Sequence, residues 1–292
     1  MMATFVICLI QFLFITDRVA GGAGNAAVLG VFTVLFANIA LMNACSTDRL
    51  ERWVAIAGFS TGVACLFLSE TRSAWLALPI NTFIVVLYLQ KNTKINYRKI
   101  AIPFLISLIV ASAVFFPKVS ARIHSLEYDV QTLDTKPQDL TSLSIRLAIW
   151  RGAVAAIEEQ PIFGYGAQNR MAVAERHLPQ EIASNVSVTH LHNAFLNVAV
   201  DAGLIGVAAL VLALSAPILA AAKKEAGAER NASMAIALML VASYVITGMF
   251  GIMFGHDATD AVFITIFLVI CQGAGSTNLA PVLDQYRAAR KA

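Results

Sequence analysis

The sequence predicts an all-α polytopic membrane protein of about eight transmembrane helices, with one large, partly helical loop on the outer side. Three observations carry that prediction. The chain is 58% hydrophobic and 13% charged, with a mean hydropathy of +0.72, whereas soluble domains carry about a quarter charged residues. Apolar runs close to bilayer-crossing length recur along it, broken by a single long polar stretch. Lysine and arginine gather in alternate loops.

The first run, in "MMATFVICLIQFLFITDR", is short against the roughly 20 residues a bilayer needs. It has neither a basic n-region nor a small-residue cleavage site, so it reads as a first helix and not as a signal peptide. Runs at 20–44, 53–69, 74–90 and 100–117 complete an N-terminal group of about five helices over 1–117. Residues 118–199 are too polar to span and form the outer loop. Runs at 200–222, 231–253 and 258–274 make a C-terminal group of about three helices over 200–275, followed by a tail at 276–292. Within the loop, "LSIRLAIWRGAVAAIEEQP" from Leu143 places Ile145, Ile149, Ala153 and Ala156 on one face of a helix that Pro161 stops. Gly164 and Gly166 in "FGYGAQ" mark a turn. "AQNRMAVAERHLP" reads as a second short helix ending before Pro179. Such helices can lie at the membrane surface, with their apolar face toward lipid or the helix bundle.

Positive charge orients the chain. Arg49 and Arg52 fall between spans two and three, and Lys91, Lys94, Arg98 and Lys99 between four and five. Lys223, Lys224 and Arg230 fall between six and seven, and Arg287, Arg290 and Lys291 end the chain. These loops and both termini are expected in the cytoplasm. The segment near Asp17, "SETRS" at 69–73, the 118–199 loop and "FGHDATD" at 254–260 then face outward. The net charge of +3 is too small to suggest a nucleic-acid partner. Cys8, Cys45, Cys65 and Cys271 lie in or beside apolar runs without metal-ligand spacing and read as small buried hydrophobes.

Helix interiors carry almost no ionisable side chain. A charge at a helix centre costs about 2.5–3.5 kcal/mol on insertion scales, and ion-coupled transporters usually retain some; their scarcity argues against one. A flippase would need polar residues along the inside of the bundle, and none are evident in the sequence. The polar chemistry gathers instead at the outer helix ends: Arg72, Arg146, Arg151, Arg170, Arg176, His190, His192, His256 and Asp257. Outside the membrane there is no ATP, so an enzyme there needs a donor already activated and anchored, which a lipid-linked diphosphate provides. Its leaving diphosphate must have its charge held, by a divalent metal or by arginine, and the attacking hydroxyl needs a base near neutral pKa. No DxD metal motif occurs. Arginine can hold phosphate oxygens bidentately, and Arg72 and Arg146 are the best placed; Arg72 also reads as an interfacial residue whose head reaches to water. His192 is either that base or a helix-start histidine bonded to backbone, with Asn193 beside it as a ring-orienting group or a helix N-cap. His190 is a weaker base candidate.

"HN" at 192–193, followed after nine residues by "GLIG" at 203–206, resembles the signature of the O-antigen ligase/polymerase family, which includes protein O-oligosaccharyltransferases. "TRSAWLAL" from Thr71 and "RLAIWRGAVAAIEEQPIFGYG" from Arg146 resemble its other segments, in the same order. The resemblance runs from about residue 55 to about 270 and implies a metal-independent membrane glycosyltransferase without a cofactor. Its donor would be an undecaprenyl-diphosphate-linked glycan at the periplasmic face of a bacterial inner membrane. Lipid A-core is the favoured acceptor, which would make it an O-antigen ligase of lipopolysaccharide biosynthesis; another lipid-linked repeat or a protein hydroxyl are the alternatives. A non-catalytic partner or a transporter in polysaccharide export is the reading from another class. By position His192 would be the catalytic base and Arg72 and Arg146 the diphosphate-binding residues, with Asn193, His190, Arg151, Gly164 and Gly166 in support. Family members usually carry more helices ahead of the Arg72 segment, so the N-terminal half is either reduced or begins upstream of Met1.

Overall fold

The computed structural model describes residues 1–16, 18–93, 142–178, 190–251 and 254–272, with positions 120, 124, 127 and 128. Among these residues all regular structure is helical: α1 (Met2–Phe14), α2 (Ala26–Leu41), α3 (Arg49–Leu68), α4 (Arg72–Asn92), α5 (Ser142–Glu159), α6 (Arg170–Glu175), α7 (Ala194–Ala222), α8 (Ala228–Gly248) and α9 (Asp257–Gln272). Four of them, α3, α4, α7 and α8, are long and apolar enough to cross a membrane.

Three of the expected spans are shorter helices. α1 has 13 residues, and α2 and α9 have 16 each. For α2 the reason is local. Gly21, Gly22 and Gly24 take positive φ values of 55°, 87° and 72°, so "AGGAGN" is a loop and not the start of a helix. Asn25 then begins α2 by accepting the Ala27 amide at 2.7 Å. The expected span at 100–117 lies outside the described residues. The run expected from 200 belongs to α7, which starts earlier, at Ala194, because Asn193 caps it. α3 begins in the same way, with Asp48 Oδ1 accepting the Leu50 and Glu51 amides at 2.7 and 3.1 Å.

α2 packs against α3 and α4, α4 against α8, and α8 against α7. Small residues set the spacing, as they do where lipid supplies no hydrophobic drive between helices. A Cβ on Gly62 of α3 would lie 2.7 Å from the Ala37 Cβ of α2. Thr71, capping α4, donates from Oγ1 to the Ala26 carbonyl at 2.8 Å and so pins the start of α4 to the start of α2. From there α4 climbs 21 residues, about 30 Å, and delivers Lys91 to the opposite end of the bundle.

The bundle interior is apolar around Leu35, Leu66, Leu78, Val85, Met239 and Leu240, but it also holds polar residues, contrary to the sequence expectation. Thr82 of α4 donates to Asn38 Oδ1 of α2 at 2.9 Å. Asn81 Nδ2 donates to Ser243 Oγ of α8 at 2.7 Å. All four are buried. They are uncharged and pair across helix contacts, which joins helices that dispersion alone would hold less specifically.

Candidate functional site

The histidine segment is held by its middle residue. Leu191 is fully buried. Its amide donates to Asn197 Oδ1 of α7 at 3.1 Å, and its carbonyl accepts from Trp150 Nε1 of α5 at 2.8 Å. His190 and His192 flank this anchor, and their ring centroids lie 4.2 Å apart with the planes tilted by 55°. His192 takes φ +53°, a left-handed backbone uncommon outside glycine though visited more often by histidine than by most residues. Asn193 follows in extended conformation and accepts the Phe195 and Leu196 amides at 3.0 and 3.2 Å. It is thus an N-cap.

α5 carries Arg146 to the same place. Ile149, Ala153 and Ala156 are fully buried on one face, and Ile149 and Ala153 cluster with Ala174, Leu191 and Val200, toward protein and not lipid. Arg146 lies one turn before Ile149 and Trp150, on the side that reaches the histidines. Arg151 is exposed.

A backbone joint fixes α5 against α7. Gly203 interrupts α7 with φ 58° and ψ −149°, a combination essentially restricted to glycine. In an unbroken helix the amides of Leu204 and Ile205 would bond the carbonyls of Val200 and Asp201. Here those four groups turn to the segment after α5. Leu204 and Ile205 donate to the Pro161 and Ile162 carbonyls at 2.8 and 3.4 Å. Tyr165 and Gly166 donate to the Val200 and Asp201 carbonyls at 2.9 and 2.8 Å. Gly164, at φ +65°, must be bare, since a Cβ there would sit 2.5 Å from the Val200 oxygen. Arg170 Nε reinforces the joint with a 2.8 Å bond to Asp201 Oδ1, and its Nη2 pairs with Oδ2. The two parts of the chain that carry "PIFGYG" and "GLIG" therefore meet each other directly.

Arg146, His190 and His192 line one cavity of about 310 Å³ with Arg18, Ser73 and His256. No carboxylate is among its described lining residues. Burial lowers the pKa of His190, helped by the positive charges of Arg170 and Arg146. Burial, then His190 and Arg146, pushes His192 down to about 4. His192 is consequently neutral at pH 7, with a lone pair able to accept a proton, in a pocket whose fixed charges are positive.

The sequence-selected residues divide accordingly. Arg146, His190 and His192 meet at the cavity. Arg72 opens α4 and is exposed; its neighbour Ser73 lines the cavity, but Arg72 does not. Asn193 holds the start of α7, Gly164 and Gly166 belong to the joint, and none of the three lines the cavity. Arg18 was not selected. It follows α1 and bonds the Ser69 carbonyl at 3.2 Å through Nε; the available signal was its position in an expected outer loop. The sequence places His256 outward and gives it no role, yet it lines the cavity.

The family described as O-antigen ligase matches residues 57–211, from α3 through Arg146, the histidine pair and the Gly203 joint into α7. An uncharacterized protein of Haemophilus influenzae (strain ATCC 51907 / DSM 11121 / KW20 / Rd) is 31% identical over 158 residues, which cover 52% of this chain and 39% of that relative. The chain thus matches well under half the length of that relative.

Proposed function

The chain belongs to the O-antigen ligase family, and from that premise we propose that this integral membrane protein transfers a glycan from undecaprenyl diphosphate to an acceptor hydroxyl. The face is the periplasmic side of a bacterial inner membrane, with both termini in the cytoplasm and the 118–199 loop outside. The acceptor is lipid A-core, which makes the reaction O-antigen ligation in lipopolysaccharide biosynthesis. A second lipid-linked repeat (a polymerase) or a protein hydroxyl would use the same chemistry. The observation that carries this reading is the neutral His192, paired with His190 and sharing one cavity with Arg146.

In the proposed step the acceptor oxygen attacks the anomeric carbon, on the face opposite the diphosphate, as the carbon–oxygen bond to the diphosphate breaks. The configuration inverts. His192 takes the hydroxyl proton, a contribution of about 10²–10⁴-fold. Arg146 and Arg18 hold the departing charge within the cavity, and Arg72, beside the cavity-lining Ser73 at the start of α4, meets the diphosphate from the cavity's edge. Charge-assisted hydrogen bonds contribute about 1.5–3 kcal/mol each. With a pKa near 4, His192 is by itself a weak base. A diphosphate beside Arg146 offsets the positive field acting on the ring and raises its basicity, so donor binding itself prepares the proton acceptor.

The test is release of undecaprenyl diphosphate from a lipid-linked glycan by purified protein, with membranes as the acceptor pool and EDTA present. Wild type is expected to release it, and His192→Ala to lose at least about 100-fold. Equal release by the two proteins would remove His192 from the reaction; release that EDTA abolishes would replace the arginines with a metal.

A further inference from the structure

Gly203 divides α7 into two parts with different surroundings. On the Ala194 side of the break, Asp201 is ion-paired with Arg170. On the other side no ionisable side chain occurs from Leu204 to Ala222, and Lys223 and Lys224 follow at once. As a helix, Leu204 to Ala222 rises about 28 Å, close to the roughly 30 Å of hydrocarbon in a bilayer. With the two lysines at one edge of that hydrocarbon, Gly203 stands at the other. Leu204, Ile205, Val211, Leu212 and Leu219 are all exposed, and they recur at near-whole turns along one side of the helix. In a helix that crosses a membrane, such a side faces lipid.

The segment after α5 meets α7 at this boundary, and its backbone bonds set its depth. The Pro161 and Ile162 carbonyls accept from Leu204 and Ile205, while the Tyr165 and Gly166 amides donate to Val200 and Asp201. The chain is thus deepest at Ile162 and returns by Tyr165 to the level of the ion pair. Ile162 and Phe163 lie in this dip and remain 53% and 75% exposed, so protein does not cover them at the depth where Leu204 and Ile205 meet lipid. Glu158, Glu159 and Gln160, just before Pro161, are exposed too; their polarity limits any insertion to the tip of the segment. We infer that Ile162 and Phe163 form a membrane anchor, which enters the hydrocarbon at the edge opposite Lys223 and tethers the end of the helix that carries Arg146. Exposed apolar patches of this kind mark protein or membrane contacts. Here the occupant is lipid, because the pair continues the lipid-facing side of a spanning helix to which its own backbone is bonded. The anchor requires that α7 crosses the bilayer and is independent of the glycosyl-transfer reading.

The measurement is nitroxide accessibility of the full chain in vesicles of phosphatidylethanolamine and phosphatidylglycerol. Cys45 and Cys271, which are partly exposed, are first replaced by serine, and that protein without an added cysteine is the blank. One nitroxide is then attached at Phe163→Cys, at Leu212→Cys as the lipid reference, or at Glu225→Cys, in the loop after α7, as the water reference. Oxygen concentrates in hydrocarbon and a nickel chelate stays in water, so the ratio of their effects reports the label's surroundings. At 163 oxygen is expected to outweigh nickel, as it does at 212 though less strongly, with the reverse at 225. Ile162→Cys gives the same reading should Phe163→Cys fail to fold. A label at 163 that behaves like the one at 225 overturns the anchor. A label screened from both reagents overturns lipid as the occupant and indicates a protein partner. Nickel access at 212 would remove α7 from the bilayer, and the anchor with it.

Discussion

Replacing Gly203 with alanine tests the joint between α5 and α7 most directly. The new Cβ would lie 2.4 Å from both the carbonyl carbon and the oxygen of Ile162, and 2.7 Å from the Pro161 oxygen. These are backbone atoms, so no side chain can rotate aside. Two outcomes are open to the variant. If the segment after α5 withdraws, the four backbone hydrogen bonds at 161–166 are lost, a net of about 2–6 kcal/mol at 0.5–1.5 kcal/mol each. If the segment stays, alanine must hold a glycine-only backbone conformation at about 1–3 kcal/mol, and the contact with Ile162 still has to open. Either way the loss is several kcal/mol. Gly166→Ala is the control, because its φ is also positive, at +83°, but a Cβ there meets nothing within 4 Å. The assay is thermal unfolding in detergent combined with hydrogen exchange at the amides of Tyr165, Gly166, Leu204 and Ile205. Gly203→Ala is expected to lower Tm by more than about 5 °C and to deprotect all four amides, with Gly166→Ala changing Tm by less than half as much. A Gly203→Ala protein with unchanged Tm and four protected amides would refute the joint.

Three further outcomes follow from the site. The acid limb of kcat/KM reports the free enzyme's base; with His192 near 4, activity should persist at pH 5.5 and fall by half near pH 4, whereas an unperturbed histidine would lose half near 6.5. Arg146→Gln removes a positive charge that lowers this pKa, so the limb of its residual activity should move to higher pH; a limb that stays in place would mean Arg146 does not act on His192. Trp150→Phe keeps the ring in place but leaves the Leu191 carbonyl without its 2.8 Å donor, and should lower stability by about 1 kcal/mol and kcat more than KM; stability and kinetics indistinguishable from wild type would show that the anchor is unimportant.

Local patterns in the sequence made part of this architecture legible. The buried face of α5 follows from the spacing of Ile149, Ala153 and Ala156, because helical periodicity is a property of neighbours in the chain. Asn193 preceding an apolar run already carried the N-cap among its readings. Hydropathy located apolar runs but not helix ends; the glycines before Asn25 shorten α2, and only their φ values reveal it. The spacing of "HN" and "GLIG" was visible, but its physical reason was not: Gly203 is required by atoms of Pro161 and Ile162, more than forty positions away. Arg18 escaped for the same reason, since its contact with Ser69 is a long-range closure that no local pattern encodes. Arg72 went the other way, its expected outer position not bringing it to the cavity wall. The interior polar pairs depend on which faces of α2, α4 and α8 meet, a relation absent from any single helix.

Those pairs bear on how the protein is made. Asn81 and Ser243 are separated by 162 positions, so α4 leaves the ribosome long before α8 exists. At about 5–20 residues per second, translation leaves the Asn81 amide waiting on the order of ten to thirty seconds for its partner. The link between Asn38 and Thr82 spans only 44 positions and can close soon after α4 enters the membrane. The early three-helix unit of α2, α3 and α4 therefore forms with one polar group still unmatched, and that group becomes a docking signal. The later helices arrive at a surface that already specifies where α8 must bind.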